Sequence, residues 1–264
     1  MNAAIATQMF AADFLKLRKK RSTLIWAFVL AVLPVVVFFA VGAIQHASSP
    51  AGHGPAGGSD HFHTGLRLLG GLFFGPLVAI LIGVEAGTGD VSAGVFRDLV
   101  VTGRSRISLF ASRVPAALVV CWSVILCGYV LVLLGTFVFA AGLSTPSAAL
   151  VLNALAFLLL ATGVLCVVAV GFSSLVGSKP AAIIALIAWQ IVASPLIASI
   201  DSLGSARDGV LSQALSHFSP LSLDDGGRHG TILTMSGGTA ALVVLVWLAL
   251  FLGLGAWRTS TMDA

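Results

Sequence analysis

Few side chains in this 264-residue chain can do chemistry, and six of its twenty-four charged residues fall in one stretch. Residues 83–106, GVEAGTGDVSAGVFRDLVVTGRSR, hold Glu85, Asp90, Arg97, Asp98, Arg104 and Arg106. Carboxylates and guanidinium groups at this density can pair with one another or with another macromolecule, but no nucleophile stands beside a base. His46, His53, His61 and His63, with Asp60, are of the types that bind transition metals. Only His61-x-His63 is close in sequence, and the surrounding Gly, Ser and Pro of residues 45–65 predict a flexible, solvated loop rather than a metal site. His217 with Asp224 and Asp225 could suggest a hydrolase, yet the chain has no HExxH and no nucleophile at a recognisable distance. Cys121, Cys127 and Cys166 are odd in number and form no CxxC pair, so they read as small apolar packers. Gly87-Thr-Gly89 is not followed by the Lys of a phosphate-binding loop, and GxxxxGK[ST] is absent, so the chain has no usual cradle for ATP.

The elements that must position these residues are set by composition. The chain is 58% hydrophobic and 9% charged, with a mean hydropathy of +1.06, whereas soluble domains are about 45–50% apolar and about 25% charged. The fold class is therefore an all-α membrane protein. A bilayer core about 30 Å thick takes about 20 apolar residues per helix, and six segments qualify: 23–44, 66–86, 107–141, 148–176, 180–200 and 238–257. One transmembrane domain spans 1–264, with no room for a soluble catalytic domain.

The pI of about 9.3 does not imply nucleic acid, because the basic residues are not spread along a face. Lys16, Arg18, Lys19, Lys20 and Arg21 directly precede the first span, and short loops rich in Lys and Arg stay in the cytoplasm. With six crossings, these five join Arg97, Arg104, Arg106, Arg113, Lys179 and Arg258 on the inner side, while Arg67, Arg207 and Arg228 fall outside. The distribution predicts a multi-pass protein of the cell membrane with both termini cytoplasmic.

Along the chain, Ala3, Ala6, Phe10, Phe14 and Leu17 recur at helical spacing with Lys16 and Lys20 opposite, predicting an interfacial amphipathic helix within 1–22 whose lysines face anionic lipid headgroups. A cleaved signal peptide fits less well, since the apolar run after Arg21 is long and lacks a small-x-small site. Pro34 predicts a kink in the first span. In the second, Gly71-xxx-Gly75 and Gly83-xxx-Gly87 permit close helix approach. Glu85 at its inner end is either a functional acid at membrane depth or a group reaching cytoplasmic water. Gly87-Thr-Gly89-Asp90 predicts a break, residues 91–101 a short helix, and Thr102-Gly103 its stop. Gln190, with Trp189, Ser194 and Pro195, marks the fifth span as a candidate pathway lining or a packing contact. Residues 196–236 carry two short amphipathic pieces on the outer side, and Trp257-Arg258 anchors the last span at the interface.

The run Asp90-Val-Ser-Ala-Gly94-Val-Phe-Arg97-Asp98-Leu99-Val-Val-Thr-Gly103-Arg104-Ser-Arg106 resembles the inner loop of type-2 ABC transporter permeases. That pattern has an acid, then Gly-Thr-x-Arg-x-Leu-Leu, a turn, and a Ser-Arg pair leading into the next helix. Here Asp90 replaces the usual Glu and Val95 the usual Thr. The resemblance implies a membrane subunit whose residues 91–101 form a coupling helix seated in a separate ABC ATPase subunit. It implies roles in that contact for Asp90, Gly94, Arg97, Asp98, Leu99, Arg104 and Arg106. It further implies a homodimer or a pairing with a similar permease, export of a hydrophobic or amphipathic substrate, and ATP and Mg on the partner, with no cofactor on this chain. Two other classes remain open: a secondary transporter or intramembrane enzyme without an ATPase partner, and a membrane anchor or immunity factor. The first would need ionisable residues within the spans or two similar halves.

Overall fold

The computed structural model describes residues 3–70, 73–94, 105–220 and 235–261, and all regular structure within them is helical. In order, the helices are α1 (Ala3–Lys19), α2 (Arg21–Ser48), α3 (Ser59–Gly70), α4 (Phe74–Ser92), α5 (Arg106–Val138), α6 (Ala148–Val176) and α7 (Lys179–Ala188). A π-helical turn, Trp189–Ala193, runs into α8 (Ser194–Ser199), and a 3-10 stretch (Asp201–Gly209), α9 (Leu211–Ser216) and α10 (Gly237–Thr261) follow. Six segments are long and apolar enough to cross a membrane: Arg21–Ser48, Ser59–Ser92, Arg106–Val138, Ala148–Val176, Lys179–Ser199 and Gly237–Thr261. The chain is thus a multi-pass membrane protein by the length and composition of its helices.

Local sequence explains where these helices begin and end. Ser105 caps α5 by accepting from the Ser108 amide at 3.2 Å, and Ser147 caps α6 by accepting from the Leu150 amide at 3.2 Å; each satisfies an amide that a helix start leaves without an internal acceptor. Gly177 ends α6 in the left-handed conformation (φ 70°), its amide bonded to the Ser173 carbonyl at 2.8 Å, and Pro180 stands in the first turn of α7. The fifth crossing is continuous but not uniform, since the π turn interrupts it at Trp189–Ala193.

α4 and α6 form the centre. Small residues bring them together: a Cβ on Gly83 would lie 2.6 Å from both the Ala169 Cβ and the Cys166 carbonyl oxygen, and a Cβ on Gly87 would run into the Ser173 side chain. α5 and α10 pack against α6, and α2 packs against α4 and α5. The main core joins α2 to α6 around Phe62, Leu66, Leu69, Ile82, Ile125 and Leu158, with Tyr129 donating its hydroxyl to the Val151 carbonyl at 2.6 Å. A second apolar cluster holds α9 against α6 and α10 through Leu211, Leu215 and Val244.

Three differences from the sequence expectations affect the site. The loop predicted at 45–65 is shorter: α2 runs to Ser48 and α3 begins at Ser59, because Phe62, Leu66 and Leu69 share one buried face of a helix. His61 and His63 lie on that helix, and among the described residues no group of three or more His, Cys, Asp or Glu could hold a metal. The break predicted at Gly87-Thr-Gly89-Asp90 is absent, and α4 continues through Ser92. Glycine is a poor helix former in isolation, but here it lets α4 approach α6, and packing overrides propensity. Gly94 (φ 69°) then turns the chain, and its conformation is one that residues with a Cβ rarely adopt.

The second half of α1 and the end of α10 meet the same end of the bundle. α1 packs on α5, and the Arg106 Nη1 at the start of α5 donates to the Ser260 carbonyl at the end of α10 (3.1 Å). At the opposite end, the Gly58 amide donates to the Thr136 carbonyl (3.0 Å) and the Ser59 amide to the Ser144 carbonyl (2.8 Å).

Candidate functional site

Glu85 and Asp90 both lie on α4, five residues apart. At 3.6 residues per turn this offset is about 140° around the helix, so the two acids face different neighbours. Both are buried, 3% and 7% exposed, and each is neutralised in place.

Asp90 points toward α5 and α1. Its Oδ2 accepts from the Arg113 Nη2 at 2.9 Å and its Oδ1 from the Lys16 Nζ at 3.0 Å. Arg113 is itself buried, and its Nη1 reaches the Gly87 carbonyl at 3.4 Å. That same carbonyl accepts from the Ser174 hydroxyl of α6 at 3.3 Å, so one backbone oxygen of α4 links α5 and α6. Lys16 also pairs with Asp13 at 3.1 Å, one turn earlier on α1, and Asp13 accepts a 2.6 Å hydrogen bond from Ser112 of α5.

Glu85 points toward α2 and α7. Its Oε2 accepts from Lys179 at the start of α7 and from the Thr23 hydroxyl of α2 at 3.0 Å, and its Oε1 lies 3.5 Å from the Lys20 Nζ. The carboxylate is neither exposed to open water nor left bare at membrane depth. A charge taken out of water must be paired and hydrogen-bonded, and both acids meet that condition.

Together these groups border a half-open cavity of about 200 Å³. Asp13, Lys16, Leu17 and Lys20 line one side, and Glu85, Ala86, Gly89, Asp90, Ala93 and Arg113 the other. Burial by itself would lower the pKa of Lys16, but attraction and hydrogen bonds from Asp90, then Asp13, outweigh it and hold the ammonium above its ordinary value. Each of the cluster's acids, Asp13, Glu85 and Asp90, is paired with a cation. The cluster fastens α1, α2, α4, α5 and α7 together at one end of the bundle.

No family model matches this chain, and no curated protein matches it.

Of the residues singled out in the sequence, the structure brings Glu85 and Asp90 to one cluster. Gly94 stands at the turn leaving α4, and Arg106 ties α5 to α10 at the same end of the bundle. Arg97, Asp98, Leu99 and Arg104 lie outside the described residues. Gln190 is buried in the π turn and does not line the cavity. Sequence reasoning missed Asp13, Lys16, Lys20, Arg113 and Lys179 as members of one cluster. A signal existed for Arg113: an arginine two turns inside an apolar span is expensive unless it has a partner. Another lay in Asp13, Lys16 and Lys20, whose spacings of three and four place them on one helix face.

Proposed function

We propose that this chain is the membrane subunit of an ATP-binding cassette exporter, moving a hydrophobic or amphipathic substrate with ATP hydrolysed on a separate subunit. In this reading residues 91–101 carry the contact with the ATPase, two copies of the chain or two similar permeases form the conduit, and the charged end of the bundle faces the cytoplasm. ATP and Mg bind the partner.

The observation that carries the reading is the anchoring of the connecting segment at both of its ends. The run that carries the resemblance, Asp90–Arg106, begins on α4 and ends on α5, and those two helices are fastened to each other by the 2.9 Å Asp90–Arg113 pair. Gly87 extends the fastening to α6. A displacement imposed on the segment therefore passes into packed helices as rigid-body motion rather than being absorbed by a hinge. The paired state of Glu85 and Asp90 also favours this reading over a proton-coupled carrier, which needs an acid free to take up and release its proton.

Co-expression with a candidate ABC ATPase subunit tests the assignment. Arg97→Ala with Asp98→Ala is expected to weaken association and substrate-stimulated ATP turnover by about tenfold, the equivalent of about 1.4 kcal/mol. Unchanged association and turnover would sink it, and loss of transport on collapsing the proton gradient with ATP intact would favour the secondary transporter.

A further inference from the structure

Each buried acid of the cluster has two cationic partners of different origin. Asp90 pairs with Arg113 of α5 and with Lys16 of α1. Glu85 pairs with Lys179 of α7 and with Lys20, the single residue between α1 and α2, whose backbone (φ −78°, ψ 70°) leaves the helical region. If α1 swings away about Lys20, Asp90 keeps Arg113 and Glu85 keeps Lys179 and Thr23. No buried charge is stranded, which is the event that would otherwise oppose such a movement.

α1 packs along α5 and meets α4 only lightly. Leu17 is its only described side chain inside the buried core, with Phe10 and Phe14 packed at the rim, and the cavity runs along the seam where close packing would otherwise hold the helix. The Lys16 and Lys20 side chains remain 43% and 51% exposed, so surrounding ions reach the outer partners but not Arg113, at 4%. Arg18, Lys19 and Arg21 are exposed beside them. Trp26, 60% exposed, follows on α2, and an exposed Trp beside basic residues marks headgroup depth.

We propose that α1 is a releasable clamp. Docked, it bridges α4 and α5; released, it lies on an anionic lipid surface, its apolar face in the acyl boundary and its cations on lipid phosphates. Anionic headgroups compete directly with Asp90 for Lys16. This device stands independently of the ATPase partner.

Disulfide trapping tests it. Asp13→Cys and Ser112→Cys, placed in a chain carrying Cys121→Ala, Cys127→Ala and Cys166→Ala, are oxidised in vesicles of phosphatidylcholine alone or with one third phosphatidylglycerol. The trapped fraction is expected to fall severalfold in the anionic vesicles. Lys16→Ala should lower it in both, and Arg18→Ala with Lys19→Ala and Arg21→Ala should remove the lipid response while leaving trapping in phosphatidylcholine intact. On the unmodified chain, carbodiimide coupling of Lys16 to Asp90, read by mass spectrometry, should show the same dependence on lipid charge. Trapping and coupling that ignore lipid charge would overturn the proposal. So would a Lys16→Ala variant that loses as much thermal stability as Arg113→Ala, since α1 would then be a fixed part of the core.

Discussion

Arg113 and Lys16 hold the same carboxylate but differ in what their loss does. Arg113 is buried, so Arg113→Ala leaves Asp90 with only its partly exposed partner, and the bundle is expected to lose about 3 kcal/mol or more. Scanning fluorimetry in detergent would show this as a lowered midpoint. Replacing both members, Arg113→Met with Asp90→Leu, should restore most of the loss, because the desolvation penalty disappears with the charges; a double variant as unstable as the single would contradict that account. Lys16 carries a pH signature. Its folded pKa lies above its ordinary value of 10.5, so its contribution is complete below that value and is lost as the pH rises through the raised one. A spin label at the exposed Ala12 should have constant mobility from pH 7 to about 10 and become mobile at higher pH, whereas in Lys16→Ala it should be mobile throughout. Glu85 and Asp90 stood out in the sequence because an acid in an apolar chain is conspicuous. Their partners did not, because Lys16, Lys20 and Lys179 flank spans where basic residues are expected anyway, and only folding decides which of them turn inward.

Among the helices, α4 shows where local rules lose to packing. Its glycines predicted a break; the structure uses them to bring α4 against α6. The same surroundings predict opposite outcomes at two positions. Gly83→Ala pushes a methyl group against Ala169 and the Cys166 carbonyl and should cost about 1–3 kcal/mol. Gly89→Ala has its nearest neighbour, the Glu85 Oε1, at 3.9 Å and should be neutral or stabilise α4 by up to about 1 kcal/mol. Thermal unfolding of the two variants side by side distinguishes this from a general intolerance of α4. The spans themselves were legible because an apolar run of bilayer length has few alternatives. The division of the second crossing into α3 and α4 was not, since Phe62 stands among the Gly, His and Ser of an apparent loop while Leu66 and Leu69 continue the apolar run of the span. The π turn at Trp189–Ala193 was marked in the sequence only by the polar Gln190, which singles out the position but does not specify the backbone geometry.

For the whole molecule, the alternation of the helices and the sign of the charges make a joint statement. The end of α1, the end of α4, the start of α5 and the end of α10 share one end of the bundle, and the turn between α2 and α3 lies at the other. If the basic end is cytoplasmic, a membrane-impermeant maleimide should label His53→Cys in intact cells and Ser22→Cys only after permeabilisation, in a background without the native cysteines. The reverse pattern would invert the orientation and remove the proposed ATPase contact from the side where ATP is found. Shared placement of the end of α1 and the end of α10 also bears on how a larger protein could arise from this one. Two copies joined in tandem, the end of α10 leading into a second α1, need no additional membrane crossing to keep both halves pointing the same way. Gene duplication followed by fusion would therefore yield a single twelve-span polypeptide directly, whose halves could then diverge so that each acquired its own partner or its own half of a substrate site.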